Sequence, residues 1–237
     1  MDVNVICGMN AVSALFARRP DDVLRLFFLP ARKAETGAFC AALARLRRPY
    51  RMVEGDELTT VAGTGHHGGI AAVAKPREVP IFDRAKPPRE RLLLVLDGVG
   101  NPHNLGAIAR SAAFFGVRAL LLGEGLGHAM LSNAAYRTAE GGVEFLDVFR
   151  TRDLPGTLAA LDPFYRTVVA TLHADAAPIG DLPRDRPIAL VLGAEETGAS
   201  PDVIAACRRQ VRIAGSGRVQ SLNVAQAAAV LLHSLTS

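Results

Sequence analysis

Three segments of the chain set glycines and a few polar side chains directly behind apolar runs. The first is Asp97-Gly-Val-Gly-Asn-Pro-His-Asn-Leu-Gly-Ala-Ile-Ala-Arg110. The second is Leu192-Gly-Ala-Glu-Glu-Thr-Gly-Ala-Ser200. The third is Arg212-Ile-Ala-Gly-Ser-Gly-Arg-Val-Gln-Ser-Leu-Asn223. Glycine lets backbone approach a ligand closely. Asn104 and Asn223 can donate and accept hydrogen bonds, and Arg110 carries a planar cation suited to phosphate or to a developing oxyanion. Glu195 and Glu196 offer carboxylates at a strand end, to act on a ligand or to tie down a loop. Each polar residue also has a structural reading: Asn104, Ser200, Ser221 and Asn223 all stand where a helix cap would. Two nucleotide motifs are excluded. Gly98-Val-Gly100 opens a dinucleotide fingerprint, but its third glycine would fall at His103, and Gly106 comes three residues too late. No Gly-Lys-Ser/Thr phosphate loop is present.

The elements that must carry these loops read as alternating strands and helices. Leu92–Leu96 is an unbroken apolar strand, as expected where helices cover both sheet faces. A helix from about Leu105 to Phe115 follows, then strands at Ala119–Leu122, Thr167–Thr171, Ile188–Leu192 and Gln210–Ile213. Helices are expected over Leu131–Ala139, Pro201–Cys207 and Asn223–Leu235. This alternation predicts an α/β domain with a mostly parallel sheet and helices on both faces, its ligand site at the carboxyl ends of the strands. The front of the chain repeats the theme on a smaller scale, with helices at Ala11–Ala17 and Phe39–Leu46 and strands at Val23–Leu29 and Ile70–Ala74. Between the two, a segment with four prolines and six charges from 75 to 89 reads as an extended linker. The expected division is therefore a small α/β domain over 1–74, a linker over 75–90 and the larger domain over 91–237.

Composition narrows the class of protein. The 237 residues are 49% hydrophobic and 21% charged, which excludes global disorder. No apolar run approaches the roughly 20 residues of a membrane-spanning helix, and the first residues lack a signal peptide's basic start, so a cytoplasmic location is expected. Cys7, Cys40 and Cys207 are odd in number and lack metal-ligand spacing, so neither disulfides nor a metal site are expected. Positive charge is concentrated in front: residues 1–91 hold 15 Lys and Arg against 10 Asp and Glu, and the remainder 12 against 13. The excess lies mostly between Arg18 and Arg51 and favours a polyanionic partner.

Taken together, Asn104-x-Gly-x-x-x-Arg110, Gly193-x-Glu195-x-x-Gly198 and Ile213…Ser221-Leu-Asn223 resemble, in order and approximate spacing, the three motifs of the SpoU/TrmH family. These are RNA ribose 2′-O-methyltransferases of the SPOUT superfamily. The front part, with Gly8-Met-Asn-Ala-Val12 and His66-His-Gly-Gly-Ile-Ala-Ala72, looks like the family's small RNA-binding domain. Two departures stand out: Ala214-Gly215 replaces the usual Pro-Met after Ile213, and His67 stands where Gln is common.

The resemblance implies a C-terminal trefoil knot whose loops bind S-adenosylmethionine, here through Thr171, Leu172, Gly193, Ile213, Ala214 and Leu222. It implies catalytic roles for Asn104, Arg110, Glu195, Ser221 and Asn223. Glu195 is expected to receive backbone amides of the knot loops, and Asn104 to hydrogen-bond ribose or hold Arg110. The substrate would be ribosomal or transfer RNA, gripped in front by Arg18, Arg19, Arg45, Arg47, Arg48 and Arg51. It also implies a homodimer, with the last helix (Val224, Ala227, Ala228, Val230, Leu231, Leu235) contributing either to the interface or to the core. The alternative function is a family member that binds RNA in ribosome or RNA processing without catalysis.

Overall fold

A computed structural model describes residues 3–237. The front domain comprises β1 (Asn4–Cys7), α1 (Met9–Arg18), β2 (Val23–Phe28), α2 (Gly37–Arg45), β3 (Tyr50–Met52), α3 (Gly55–Ala62) and β4 (Ile70–Ala74). Its sheet order is β1-β4-β2-β3, with β4 antiparallel to both neighbours and β3 parallel to β2. The helices at Ala11–Ala17 and Phe39–Leu46 and both expected strands are present, each within a few residues.

The second domain runs β5 (Leu92–Leu96), α4 (Pro102–Phe114), β6 (Ala119–Gly123), α5 (Asn133–Ala139), β7 (Asp147–Thr151), α6 (Leu154–Leu161), β8 (Arg166–Ala170), β9 (Ala177–Pro178), β10 (Ile188–Leu192), α7 (Pro201–Ala206), β11 (Arg209–Arg212) and α8 (Val224–Thr236). Its seven strands are parallel throughout, in the order β7-β6-β5-β10-β8-β11-β9. Strand pleating explains the unbroken apolar runs. Leu92, Leu94 and Leu96 of β5 join the core beneath α4, α5 and α8, while Leu93 and Val95 join the one beneath α6 and α7. Both faces are covered, as continuous apolarity requires.

Helix α4 starts earlier than the sequence suggests. Asn101, not Asn104, is its cap: the Asn101 side chain accepts from the His103 N–H at 2.8 Å. Pro102 at the first helical position has no N–H to satisfy and already has the right φ. Asn104 therefore lies inside the first turn, with its side chain free for other partners.

The two domains share one core. Ala11, Val12 and Leu15 of α1 belong to the same buried cluster as Ala135, Tyr136, Ala139 and Val143. The Glu144 carboxylate, in a short 3-10 turn over Gly142–Phe145, takes two hydrogen bonds of 2.9 Å from Arg19. The side chain of Glu144 is 2% exposed and that of Arg19 13%. The expected linker is extended but anchored. Phe82 is buried, Arg77 donates to the Val143 and Leu146 carbonyls, and Phe82 and Arg150 exchange backbone hydrogen bonds through Pro80 and each other.

Candidate active site

β5, β10, β8 and β11 are consecutive neighbours in the sheet, so all the loops after them open at one carboxyl edge. All three sequence motifs stand there. Asn104 Nδ2 donates to Glu195 Oε1, and Asn223 Nδ2 donates to Asn104 Oδ1 at 3.3 Å. One residue from each motif thus joins a single hydrogen-bonded trio. Asn223 also caps α8, its Oδ1 accepting from the Ala225 N–H at 2.8 Å, so its capping and site readings hold together.

The roles within the trio differ from expectation. Glu195 accepts from the Asn104 side chain, and Asn104 engages Glu195 and Asn223 instead of Arg110. The acid that fixes loop backbone is Asp97, overlooked in the motif reading. It is 8% exposed and accepts from the Ser200 N–H at 2.7 Å, joining the loop after β5 to the loop after β10. An acid placed immediately after five apolar strand residues was the available signal. Ser200 sits at the N-cap of α7, yet its side chain makes no capping bond.

Arg110 is not part of the trio. Its guanidinium pairs with Glu140 at 3.0 Å, and both side chains are about half exposed. Six helical residues separate it from Asn104, roughly 9 Å along the axis. Ser221 is exposed in the loop before α8.

The cofactor positions gather as expected at the ends of three adjacent strands. Thr171 follows β8, its N–H donating to Val211 O at 2.9 Å and its hydroxyl accepting from the His173 N–H at 3.3 Å. Gly193 follows β10, where a Cβ would stand 2.0 Å from the Ala199 nitrogen, so no side chain fits. Ile213 and Ala214 follow β11, and Ala214 to Asn223 form an exposed segment without helix or strand. Leu172 is 65% exposed and Leu222 44%. These residues fit S-adenosylmethionine: exposed leucines can flank an adenine ring, and glycine-lined backbone can reach its polar edges.

A further loop, after β6, closes one side. His128 Nδ1 accepts from the Gly98 N–H at 3.2 Å, and Ala129 N–H donates to Val99 O at 2.8 Å. Gly123 leaves room for the imidazole, since a Cβ there would meet it at 2.3 Å. Thiol chemistry has no place in the site: burial, with the Asp97 carboxylate behind it, pushes the Cys207 thiol up to about 12. Among the described residues no His, Cys, Asp and Glu cluster could hold a metal ion, and no helix is long and apolar enough to cross a membrane.

The front-domain arginines divide into two groups. Arg19 is held by Glu144, and Arg48 donates to the Asp21 and Val23 carbonyls, so both serve the fold. Arg18 donates to the Glu144 carbonyl and lies over the Phe145 ring. Arg45 and Arg47 are exposed, and Arg51 makes a 2.7 Å surface pair with Glu57.

Residues 91–233 match the SpoU rRNA Methylase family, and residues 5–80 match the substrate-binding domain of RNA 2′-O ribose methyltransferases. Fold and site thus define the class, an S-adenosylmethionine-dependent RNA 2′-O-ribose methyltransferase. The chain belongs to the SpoU rRNA methylase family. It is 33% identical over 236 residues to the 23S rRNA (guanosine-2′-O-)-methyltransferase RlmB of Acinetobacter baylyi, covering 95% of this chain and 94% of that one. It is 34% identical over 233 residues to the uncharacterized tRNA/rRNA methyltransferase YfiF of Escherichia coli O157:H7, covering 96% of this chain and 66% of that longer protein. The AdoMet-bound rRNA methyltransferase of Sinorhizobium meliloti has the same fold, with a TM-score of 0.81 over 98% of this chain and 86% of that one at 20% identity.

Proposed function

We propose that the protein methylates a ribose 2′-hydroxyl in ribosomal or transfer RNA, in the cytoplasm, with Arg110 stabilising the oxyanion that develops on the attacked sugar. The observation that carries this reading is the meeting of all three motif loops at one sheet edge through Asn104, Glu195 and Asn223. S-adenosylmethionine supplies a methyl group activated by a sulfonium. The chain's own work is to align a 2′-hydroxyl with that methyl and to favour the hydroxyl's deprotonation. A guanidinium does not give up its proton in a protein, so Arg110 serves as a fixed cation, not as a base. Its forked N–H groups suit a phosphate oxygen and the nascent alkoxide together. Asn104, Glu195, Ser221 and Asn223 order the loops around the ribose, and the segment 193–223 would form the family's knot around the cofactor.

We further propose a homodimer in which Arg110 acts on the partner's cofactor site. Arg110 pairs with Glu140 on the far side of α4 from its own trio, which supports this arrangement. Nearby Phe114 is 82% exposed and Val230 of α8 is 42% exposed, an apolar patch of the kind that oligomers cover. Much of the rest of α8 is core: Val224, Ala228 and Leu231 are buried. The RNA-gripping face narrows to Arg45, Arg47 and Arg51, with Arg18 at its rim.

The test is single-turnover methyl transfer with cofactor binding measured in parallel. Arg110→Ala should slow transfer by about 100-fold or more, a typical cost of losing a transition-state donor. Its cofactor affinity should stay unchanged, because the cofactor positions lie on other loops. Arg110→Lys should rescue little, since one ammonium cannot reproduce the fork. Normal transfer by Arg110→Ala would overturn the role assigned to Arg110.

A further inference from the structure

The turn after α5 is built around Arg110. Glu140 has φ 44° and ψ 44°, a left-handed conformation that glycine or asparagine normally takes at a helix end. Gly141 follows at φ 92°, where a Cβ would meet the Ala14 Cβ at 2.8 Å and the Asn10 carbonyl at 3.0 Å, both on α1. At Gly142 a Cβ would meet the Arg110 Cα at 2.8 Å and the Ala109 carbonyl at 3.0 Å, both on α4. The two glycines therefore let this turn wedge between the front-domain helix and the helix that bears Arg110. A bulkier residue at either position would force those helices apart.

Glu140 uses that placement with both of its oxygens. Oε1 pairs with Arg110 Nη1 at 3.0 Å, and Oε2 accepts from Asn10 Nδ2 at 3.2 Å. One carboxylate thus joins the RNA-binding domain to the arginine that our functional reading places in the chemistry. The pair contributes little to stability, because its side chains are 57% and 45% exposed and solvent screens them. A residue kept in an unfavourable backbone conformation for a contact of little stabilising value points to a use other than folding.

We propose that Glu140 is a positioning residue for Arg110, and that Asn10 sets its direction from the substrate-binding domain. The Glu140 carboxylate confines an otherwise mobile guanidinium to one orientation, so that docked RNA meets a preformed cation. Asn10 fixes the second carboxylate oxygen, so the position of α1 on the turn determines where the cation points. The proposal rests on the role given to Arg110 above.

The experiment uses the full chain, tritiated S-adenosylmethionine and total RNA from a strain lacking the gene as methyl acceptor. The variants are Glu140→Gly, Glu140→Gln, Asn10→Ala, Arg110→Ala and the double variant Glu140→Gly with Arg110→Ala. Glycine removes the carboxylate and relieves the left-handed backbone, so Glu140→Gly should fold at least as well as the parent. Loss of orientation should slow its single turnover about tenfold or more, with cofactor affinity unchanged. Glu140→Gln, which keeps an accepting oxygen, should fall between the two, and Asn10→Ala should slow transfer less than Glu140→Gly. In the Arg110→Ala background Glu140→Gly should have no further effect, since a positioning residue has nothing left to position. Additive losses, or a Glu140→Gly enzyme at full rate, would overturn the proposal while Arg110→Ala remained slow. Loss of cofactor binding in Glu140→Gly would overturn it too, by showing a general structural role. Should Arg110→Ala itself turn over normally, the functional reading fails and this inference with it.

Discussion

At the residue scale, Asn104 makes the most specific link among the motifs. Its amide nitrogen serves Glu195 and its carbonyl oxygen serves Asn223, so it sets the loop after β10 against the start of α8. Removing it by Asn104→Ala leaves a carboxylate and an amide without their mutual partner. Each such hydrogen bond contributes about 1 kcal/mol, so cofactor affinity should drop by about tenfold, while exposure of the three groups keeps the thermal midpoint close to that of the parent. Titration calorimetry checks both halves of that expectation; unchanged affinity would show that the trio is decoration on the loops. The motif residues were legible in the sequence because glycines and polar groups after apolar strands are a local pattern. Their pairings were not, since Asn104 and Glu195 are 91 positions apart and only the strand order brings them together. Asp97 and Glu144 were missed for a related reason. A lone acid in a turn reads as solvated until its partner, Ser200 in one case and Arg19 in the other, is known.

At the element scale, the sequence reveals what is apolar and uninterrupted. β4, β5 and β10 appear with the expected bounds, because buried parallel or central strands carry continuous apolar runs. β3 and β7 escaped notice because each lies at an edge of its sheet, and an edge needs no continuous apolar run: Tyr50, Arg51 and Met52 are all exposed, and β7 carries Asp147 and Arg150. α6 was hidden by its own first turn, Leu154-Pro-Gly, which reads as a break. Asp153 instead caps it by accepting from the Gly156 N–H at 2.9 Å. The docking of α1 on the 3-10 turn is the element contact most open to a stability test. Glu144→Gln leaves Arg19 buried without its charge partner, and breaking such a pair costs about 3 kcal/mol. Urea unfolding followed by circular dichroism should register that loss; a change below measurement error would mean that the domains are held by their apolar contacts alone.

At the scale of the whole molecule, two domains share one core, and the charge is divided between them. If the front domain holds RNA through Arg45, Arg47 and Arg51, replacing all three with glutamine should weaken binding and flatten its dependence on salt, the log–log slope falling by roughly 2 to 3. Filter binding from low to physiological salt measures that slope, and an unaltered one would mark the cluster as a solvated face. Covering Phe114 by a second copy of the chain predicts that Phe114→Glu dissociates the dimer in sedimentation and lowers methyl transfer with it. A monomeric parent enzyme, or a dimeric variant, would contradict that assembly. The central claim, that the cluster at the carboxyl edge of β5, β10, β8 and β11 methylates ribose, has a more direct test still. Total RNA from a strain lacking the gene is incubated with the purified protein and isotope-labelled S-adenosylmethionine, digested to nucleosides and analysed by mass spectrometry. The account predicts label in a single 2′-O-methylated nucleoside and none with Arg110→Ala; label carried on a base, or none with the parent protein on this RNA, would contradict it.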